Sequence, residues 1–159
     1  MKPSLTIYFA TMTGNAESLA QRACDRAVAE GWDARTENLA NVKAAALGQV
    51  NLALFIVSTW GDGEPPADAS DFHYELERAD SLALGGLRYA VFGLGNKDYA
   101  DFNAFARRLD ERLAALGAVS LQARVEADLD FDDTYSAWEN TVFPRLAEAA
   151  RSAAARFPI

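Results

Sequence analysis

The sequence predicts an α/β fold built on a doubly wound parallel sheet, and three observations predict it. Short apolar runs alternate with stretches of helical spacing along all 159 residues. One run, Leu52-Ala53-Leu54-Phe55-Ile56-Val57, is continuously apolar, as suits a parallel strand buried on both faces. Gly31 and Gly117 stand where two of the helical stretches should stop. The length fits one domain, residues 1–159, and 50% hydrophobic residues suffice for one sizeable core.

Taken in order, residues 5–9 read as the first strand. Ala16, Leu19, Ala20, Ala23 and Ala27 then recur at helical spacing up to Gly31. Residues 34–37 give a short second strand with a weak signal. The apolar run at 52–57 is the third. A polar loop over 58–68 leads into a helix that ends near Arg78. Residues 87–93 form the fourth strand. Phe102, Phe105, Ala106, Leu109, Leu113 and Leu116 make a helical stripe stopped by Gly117. Residues 119–125 are expected as one continuous fifth strand. The last helix begins near Thr134 and carries Trp138, Val142 and Leu146. Pro144 inside it removes one backbone hydrogen bond and should kink it.

Composition narrows the function. Cys24 is the one cysteine and His73 the one histidine, so neither a disulfide nor a multi-cysteine or multi-histidine metal centre is expected. No metal ligand set and no catalytic residue is assigned. Cys24 reads as a small buried residue and His73 as a surface one. Any redox chemistry must then rest on an organic cofactor. The net charge of −8 argues against nucleic acid, whose phosphates are held by Lys and Arg. It favours a basic protein partner instead. No run of about 18 apolar residues is present, so no membrane association is expected. The N-terminus lacks the pattern of a signal peptide, which points to the cytoplasm.

In a doubly wound sheet, ligands bind beyond the carboxyl ends of the strands. The loops after strands one, three and four are the unusual ones. The first runs Thr11-Met12-Thr13-Gly14-Asn15-Ala16-Glu17 and opens a helix. A helix N-terminus offers free N–H groups and about half a positive charge to an anion such as phosphate. The alternative is ordinary N-capping by Thr13 or Asn15. The second is Ser58-Thr59-Trp60-Gly61-Asp62-Gly63-Glu64. Trp60 is either a platform for a flat heteroaromatic ring or a partly buried turn residue. The third runs from Gly93-Leu94-Gly95-Asn96 through Tyr99 to Phe102-Asn103. It is a weak dinucleotide fingerprint, because no third glycine follows in register. It does place Tyr99 at the same sheet edge as Trp60.

These three loops resemble those of the flavodoxin family, most closely the FMN domains of diflavin reductases such as the sulfite reductase flavoprotein, and also the short flavodoxins. The resemblance rests on Thr13 to Glu17, Trp60 to Gly63, Phe92 to Asn103, and Arg124-Val125-Glu126-Ala127-Asp128. It implies a flavodoxin-like α/β fold, a five-stranded parallel sheet of order 2-1-3-4-5 with helices on both faces. It implies FMN as cofactor. Thr11, Met12, Thr13, Gly14, Asn15 and Ala16 would hold the phosphate. Trp60 and Tyr99 would flank the isoalloxazine. Ser58, Thr59, Gly61, Asp62 and Gly63 would bring the second loop to the ring. Leu94, Gly95, Asn96, Phe102 and Asn103 would line the ring and ribityl chain, and Asp128 would reach their edge.

The implied function is electron transfer, one electron at a time through the flavin semiquinone, by a standalone short flavodoxin. Met1 lies a few residues before the first strand and the chain stops soon after the last helix, as expected of a standalone monomer. The donor would be an NADPH-dependent flavoprotein reductase, and the acceptor a heme, iron–sulfur or other redox protein. A flip of the Gly61 peptide would hydrogen-bond the protonated ring nitrogen. Asp62, Glu64, Asp98, Asp101 and Asp128 are either a solvated rim or charges that lower the flavin potential. One alternative is the FMN domain of an NADPH-dependent diflavin reductase. Another, from a different class, is an FMN-dependent NAD(P)H quinone or nitro reductase. A response-regulator receiver shares the element order. It needs acidic residues where this chain has Ala10-Thr11 and Ser58-Thr59.

Overall fold

In a computed structural model, residues 2–11, 14–59, 65–98 and 102–156 are described. The strands and helices follow one another as β1 (Ser4–Ala10), α1 (Asn15–Ala29), β2 (Asp33–Asn38), β3 (Leu52–Ser58), α2 (Ser70–Arg78), β4 (Arg88–Leu94), α3 (Ala104–Ala115), β5 (Val119–Ser120), β6 (Val125–Ala127) and α4 (Phe131–Arg156). The sheet is parallel, of order β2-β1-β3-β4-β5, and β6 pairs with β4 as well. The expected order is present.

Strand alternation divides the core in two, because successive side chains leave a strand on opposite faces. Leu5, Ile7, Leu54, Ile56, Ala90 and Phe92 pack under α1 and α4. Tyr8, Ala53, Phe55, Val57, Tyr89 and Val91 pack under α2 and α3. The expected small stripe of α1, from Ala16 to Ala27, is buried against the first of these cores. Cys24 packs at its margin and is half-buried rather than enclosed.

Both helix stops follow from glycine's access to positive φ. Gly31 (φ 92°) and Gly117 (φ 103°) are left-handed. Beyond them, Trp32 N–H donates to the Ala27 carbonyl at 2.9 Å, and Ala118 N–H to the Leu113 carbonyl at 3.0 Å. These bonds satisfy carbonyls that the ended helix leaves open. A Cβ at position 31 would meet no atom within 4 Å. Gly31→Ala should therefore cost only the left-handed strain, about 1 kcal/mol, read from urea unfolding. A loss near zero would show that the residue need not stay left-handed.

The fifth strand differs from expectation. Residues 119–125 do not form one strand; β5 and β6 are two short pieces beside β4, separated at 121–124. The strand lies at the sheet edge, so a break forfeits ladder bonds on one side only. Ion pairing compensates. In the gap, Arg124 sends Nη1 to Asp110 Oδ2 on α3 at 2.7 Å and Nε to Glu126 Oε2 at 2.8 Å. Asp110 also accepts the Tyr89 hydroxyl at 2.5 Å. Burial, reinforced by Asp110, pushes the Tyr89 phenol far above its usual range.

Two further features were not legible locally. Residues 39–49 carry two 3-10 turns, Leu39–Asn41 and Ala44–Gln49, which bury Leu39 and Leu47. The last helix starts at Phe131 and runs through Pro144 to Arg156. Pro144 and Asn140 are both exposed, so solvent can satisfy the Asn140 carbonyl that lacks its N–H partner. Arg22 and Arg26 fasten α1 to α4, through Ser136 Oγ at 2.7 Å and Asn140 Oδ1 at 2.8 Å.

Candidate functional site

The carboxyl ends of β1, β3, β4 and β6 bring Thr11, Ser58 with Thr59, Leu94 to Asn96, and Asp128 to one edge of the sheet. These predicted residues are separated by up to 117 positions in the chain and are gathered only by the parallel topology. Met12, Thr13, Trp60, Gly61, Asp62, Gly63 and Tyr99 lie outside the described residues, as do Glu64 and Asp101.

At the end of β1, Thr11 Oγ1 accepts the Gly14 N–H at 2.9 Å. Gly14 is the N-cap residue of α1, left-handed at φ 91°, and among the described residues no side chain caps the helix. The Asn15 side chain, one of the two considered as a cap, does not serve as one. Gly14 and Asn15 are exposed, while Ala16 is buried beneath them. Among the described residues, no side chain accepts from the first turn of α1. That donor set fits an anion, and the space beside Gly14 is open.

The next two strand ends are tied to α3. Thr59 N–H donates to the Leu94 carbonyl at 2.9 Å. Thr59 Oγ1 accepts the Phe105 N–H at 3.1 Å, which caps the N-terminus of α3 from a different loop. Ser58 is half-buried at the end of β3. After β4, Leu94 is buried and Gly95 and Asn96 half-buried. Asn96 Oδ1 accepts the Asp98 N–H at 2.9 Å, an Asx turn that starts the loop.

Asp128 is held by the same loop. Its Oδ1 accepts the Lys97 backbone N–H at 3.1 Å, and its Oδ2 lies 3.6 Å from Lys97 Nζ. The Lys97 amide is the main reason its carboxyl sits below the usual range. Its charge is partly balanced here, whereas Asp98 is exposed. Phe102 is half-buried, and its carbonyl accepts Arg107 Nη1 at 3.2 Å.

Asn103 is the residue that the resemblance placed along the ring and ribityl chain. It is 0% exposed. Its Nδ2 donates to the Ala127 carbonyl at 3.0 Å. Among the described residues no partner is found for Oδ1. The burial depends on β6 and on glycines in β4, so no local pattern announced it. His73, expected at the surface, is half-buried with its ring edge-on to Phe105 at 5.6 Å. Among the described residues, no cluster of acidic, histidine or cysteine side chains could hold a metal, and no helix is long and apolar enough to cross a membrane.

Known proteins resemble this chain in sequence and fold. Residues 7–138 match the Flavodoxin family. The sulfite reductase [NADPH] flavoprotein alpha-component of Neisseria meningitidis serogroup C is 37% identical over 147 residues, covering 92% of this chain and 24% of that protein. Its counterpart in Bacillus subtilis is 34% identical, covering 97% of this chain and 26% of that protein. The chain thus spans about a quarter of the length of these curated relatives. Among solved structures, the Streptococcus pneumoniae TIGR4 flavodoxin superposes with a TM-score of 0.79 at 28% identity, covering 91% of this chain and 99% of that one. Oxidised Flavodoxin 1 from Bacillus cereus gives 0.79 at 25% identity, covering 91% and 97%.

Proposed function

From a chain that belongs to the flavodoxin family, we propose a one-electron carrier that takes electrons from an NADPH-dependent flavoprotein reductase and passes them to a heme, iron–sulfur or other redox protein. It is an FMN-binding electron-transfer protein. FMN supplies a ring that takes up and returns electrons. The observation that carries the residue assignment is the N-terminus of α1, which no side chain among the described residues caps. Its start, at the exposed, left-handed Gly14 and the exposed Asn15, fits the FMN phosphate without Lys or Arg in the segment 11–17. Thr11, Met12, Thr13, Gly14, Asn15 and Ala16 are assigned to that group. Trp60 and Tyr99 are assigned to the faces of the ring, and Leu94 and Asn96 to its edge. The net charge of −8 suits a basic partner surface. Monomeric behaviour and a cytoplasmic location belong to the same proposal.

The test is reduction of the FMN-loaded protein by NADPH. Reduction should be slow with NADPH alone and fast when a catalytic amount of flavoprotein reductase is added. Rapid steady-state NADPH oxidation by the protein alone would instead make it an NAD(P)H-dependent reductase. A second reading, the FMN domain of a diflavin reductase, is favoured by the 37% identity to the sulfite reductase component. Under it, the isolated NADPH-binding portion of that relative should reduce this protein faster than an unrelated flavodoxin reductase does.

A further inference from the structure

A cavity of about 370 Å³ opens between β1, the edge strand β2 and the segment 41–50. That is the size of a small-molecule site. None of its lining residues is among those assigned to FMN. Parallel pairing sets Tyr8 of β1 opposite Glu37 of β2. Arg35 lies two residues earlier on β2, hence on the same face. The 3-10 turns of residues 39–49 pack on the same core as Tyr8 and close the far wall.

Tyr8 is 2% exposed, and its ring stacks on Phe55 with centroids 5.0 Å apart. Its phenol feels both Glu37 and Arg35, which stand on the cavity wall. Burial, reinforced by Glu37, pushes it up to about 12, so at neutral pH it keeps its proton and can donate it. A buried phenol ordinarily has a hydrogen-bond partner. Among the described residues this hydroxyl has none, yet it is not one of the fully enclosed polar atoms, so it opens on the cavity.

The wall carries two cations, Arg35 and Lys43, against one acid, Glu37. That is one surplus positive charge in a chain of net charge −8. Arg35 Nε lies 3.4 Å from Glu37 Oε1, and Lys43 Nζ 3.6 Å from Glu75 Oε2, which is not part of the wall. Both pairs are long and exposed, so an incoming anion can take up either cation at little cost. Val42, Ala46 and Val50 supply the apolar part of the wall.

We propose that this cavity binds a small monocarboxylate with a compact apolar body. The Tyr8 hydroxyl donates to a carboxylate oxygen, Arg35 and Lys43 balance the charge, and the apolar body lies against Val42 and Val50. One surplus positive charge suits a monoanion, and Glu37 opposes a second negative charge. The proposal goes beyond FMN binding and does not depend on it.

The probe is benzoate, with benzamide as its neutral counterpart. Each is titrated into the FMN-loaded protein and into the apoprotein, and backbone amide chemical shifts are followed. Benzoate should saturably shift amides within residues 35–50, and benzamide should bind about tenfold more weakly. Tyr8→Phe keeps the ring on Phe55 and removes only the hydroxyl. It should weaken benzoate about tenfold, as loss of a hydrogen bond to a charged group does. Arg35→Gln should weaken it about fivefold. FMN affinity should be that of wild type in both variants. Absence of saturable shifts within residues 35–50 would overturn the proposal. Equal affinity for benzoate and benzamide would overturn it too, as would wild-type benzoate affinity in Tyr8→Phe. Should Tyr8→Phe also lower FMN affinity, the change acts through the fold, and wild-type benzoate affinity in Arg35→Gln then overturns the proposal. An apoprotein that takes up no FMN but binds benzoate as described would end the FMN reading and leave this one standing.

Discussion

Gly14→Asp is expected to weaken FMN binding by about a hundredfold while leaving riboflavin binding nearly unchanged. The cause is charge at one point. Gly14 caps α1, and the open space around it lets a carboxylate project beside the start of the helix. A phosphate monoester carries close to two negative charges. A carboxylate about 5 Å away on this exposed surface, at an effective dielectric constant of roughly 40–80, opposes it by about 2–3 kcal/mol. That corresponds to the hundredfold loss. Riboflavin lacks the phosphate and should not feel it. The apoprotein should change by no more than about 1 kcal/mol, because an acid at a helix N-terminus offsets much of the left-handed strain. Equal weakening of both ligands would mean that the carboxylate distorts the loop rather than repelling phosphate. No weakening of either would place the phosphate elsewhere.

The largest stability effect is expected at Trp138. This residue is 2% exposed on the inner face of α4, with its ring 5.3 Å from Phe92 of β4 and 5.7 Å from Tyr135. Trp138→Ala should lower the stability of the apoprotein by about 3–5 kcal/mol, as large-to-small core changes do. Domains hold only about 5–15 kcal/mol in total, so this change alone approaches unfolding. Trp138→Phe should behave differently. The Trp138 Nε1 donor is buried without a partner among the described residues. Phenylalanine keeps an aromatic ring against Phe92 and removes a donor whose desolvation costs about 1–3 kcal/mol. The gain offsets much of the lost volume, and the net loss should stay below about 1.5 kcal/mol. Urea unfolding of the apoprotein measures both, free of stabilisation by bound ligand. Equal losses in the two variants would mean that the indole N–H does have a partner.

The strand ends that carry the candidate site were legible because those strands have strong patterns of their own. β1, β3 and β4 are buried along nearly their whole length, and their apolar runs end where the loops begin. β2, at one edge, is half-exposed and correspondingly weak in the sequence. Thr59 is harder to read. A threonine after a strand looks like a ligand group, yet its oxygen caps a helix 46 residues later in the chain. Asp128 likewise looks like a free acid, and it meets Lys97 only because β6 lies beside β4.

The alternation of strand and helix, the two glycine stops and the placing of three unusual loops at strand ends were all determined within the sequence. Each depends on a local rule: the period of side-chain burial, the reach of glycine into positive φ, or the short link between a strand and the next helix. The break between β5 and β6 and the inward turn of Asn103 were decided by tertiary structure. The first depends on Arg124 finding Asp110 on α3. The second depends on an Ala127 carbonyl and a glycine-lined space in β4. Those partners become neighbours only once the parallel sheet has formed, so no window of sequence contains them together.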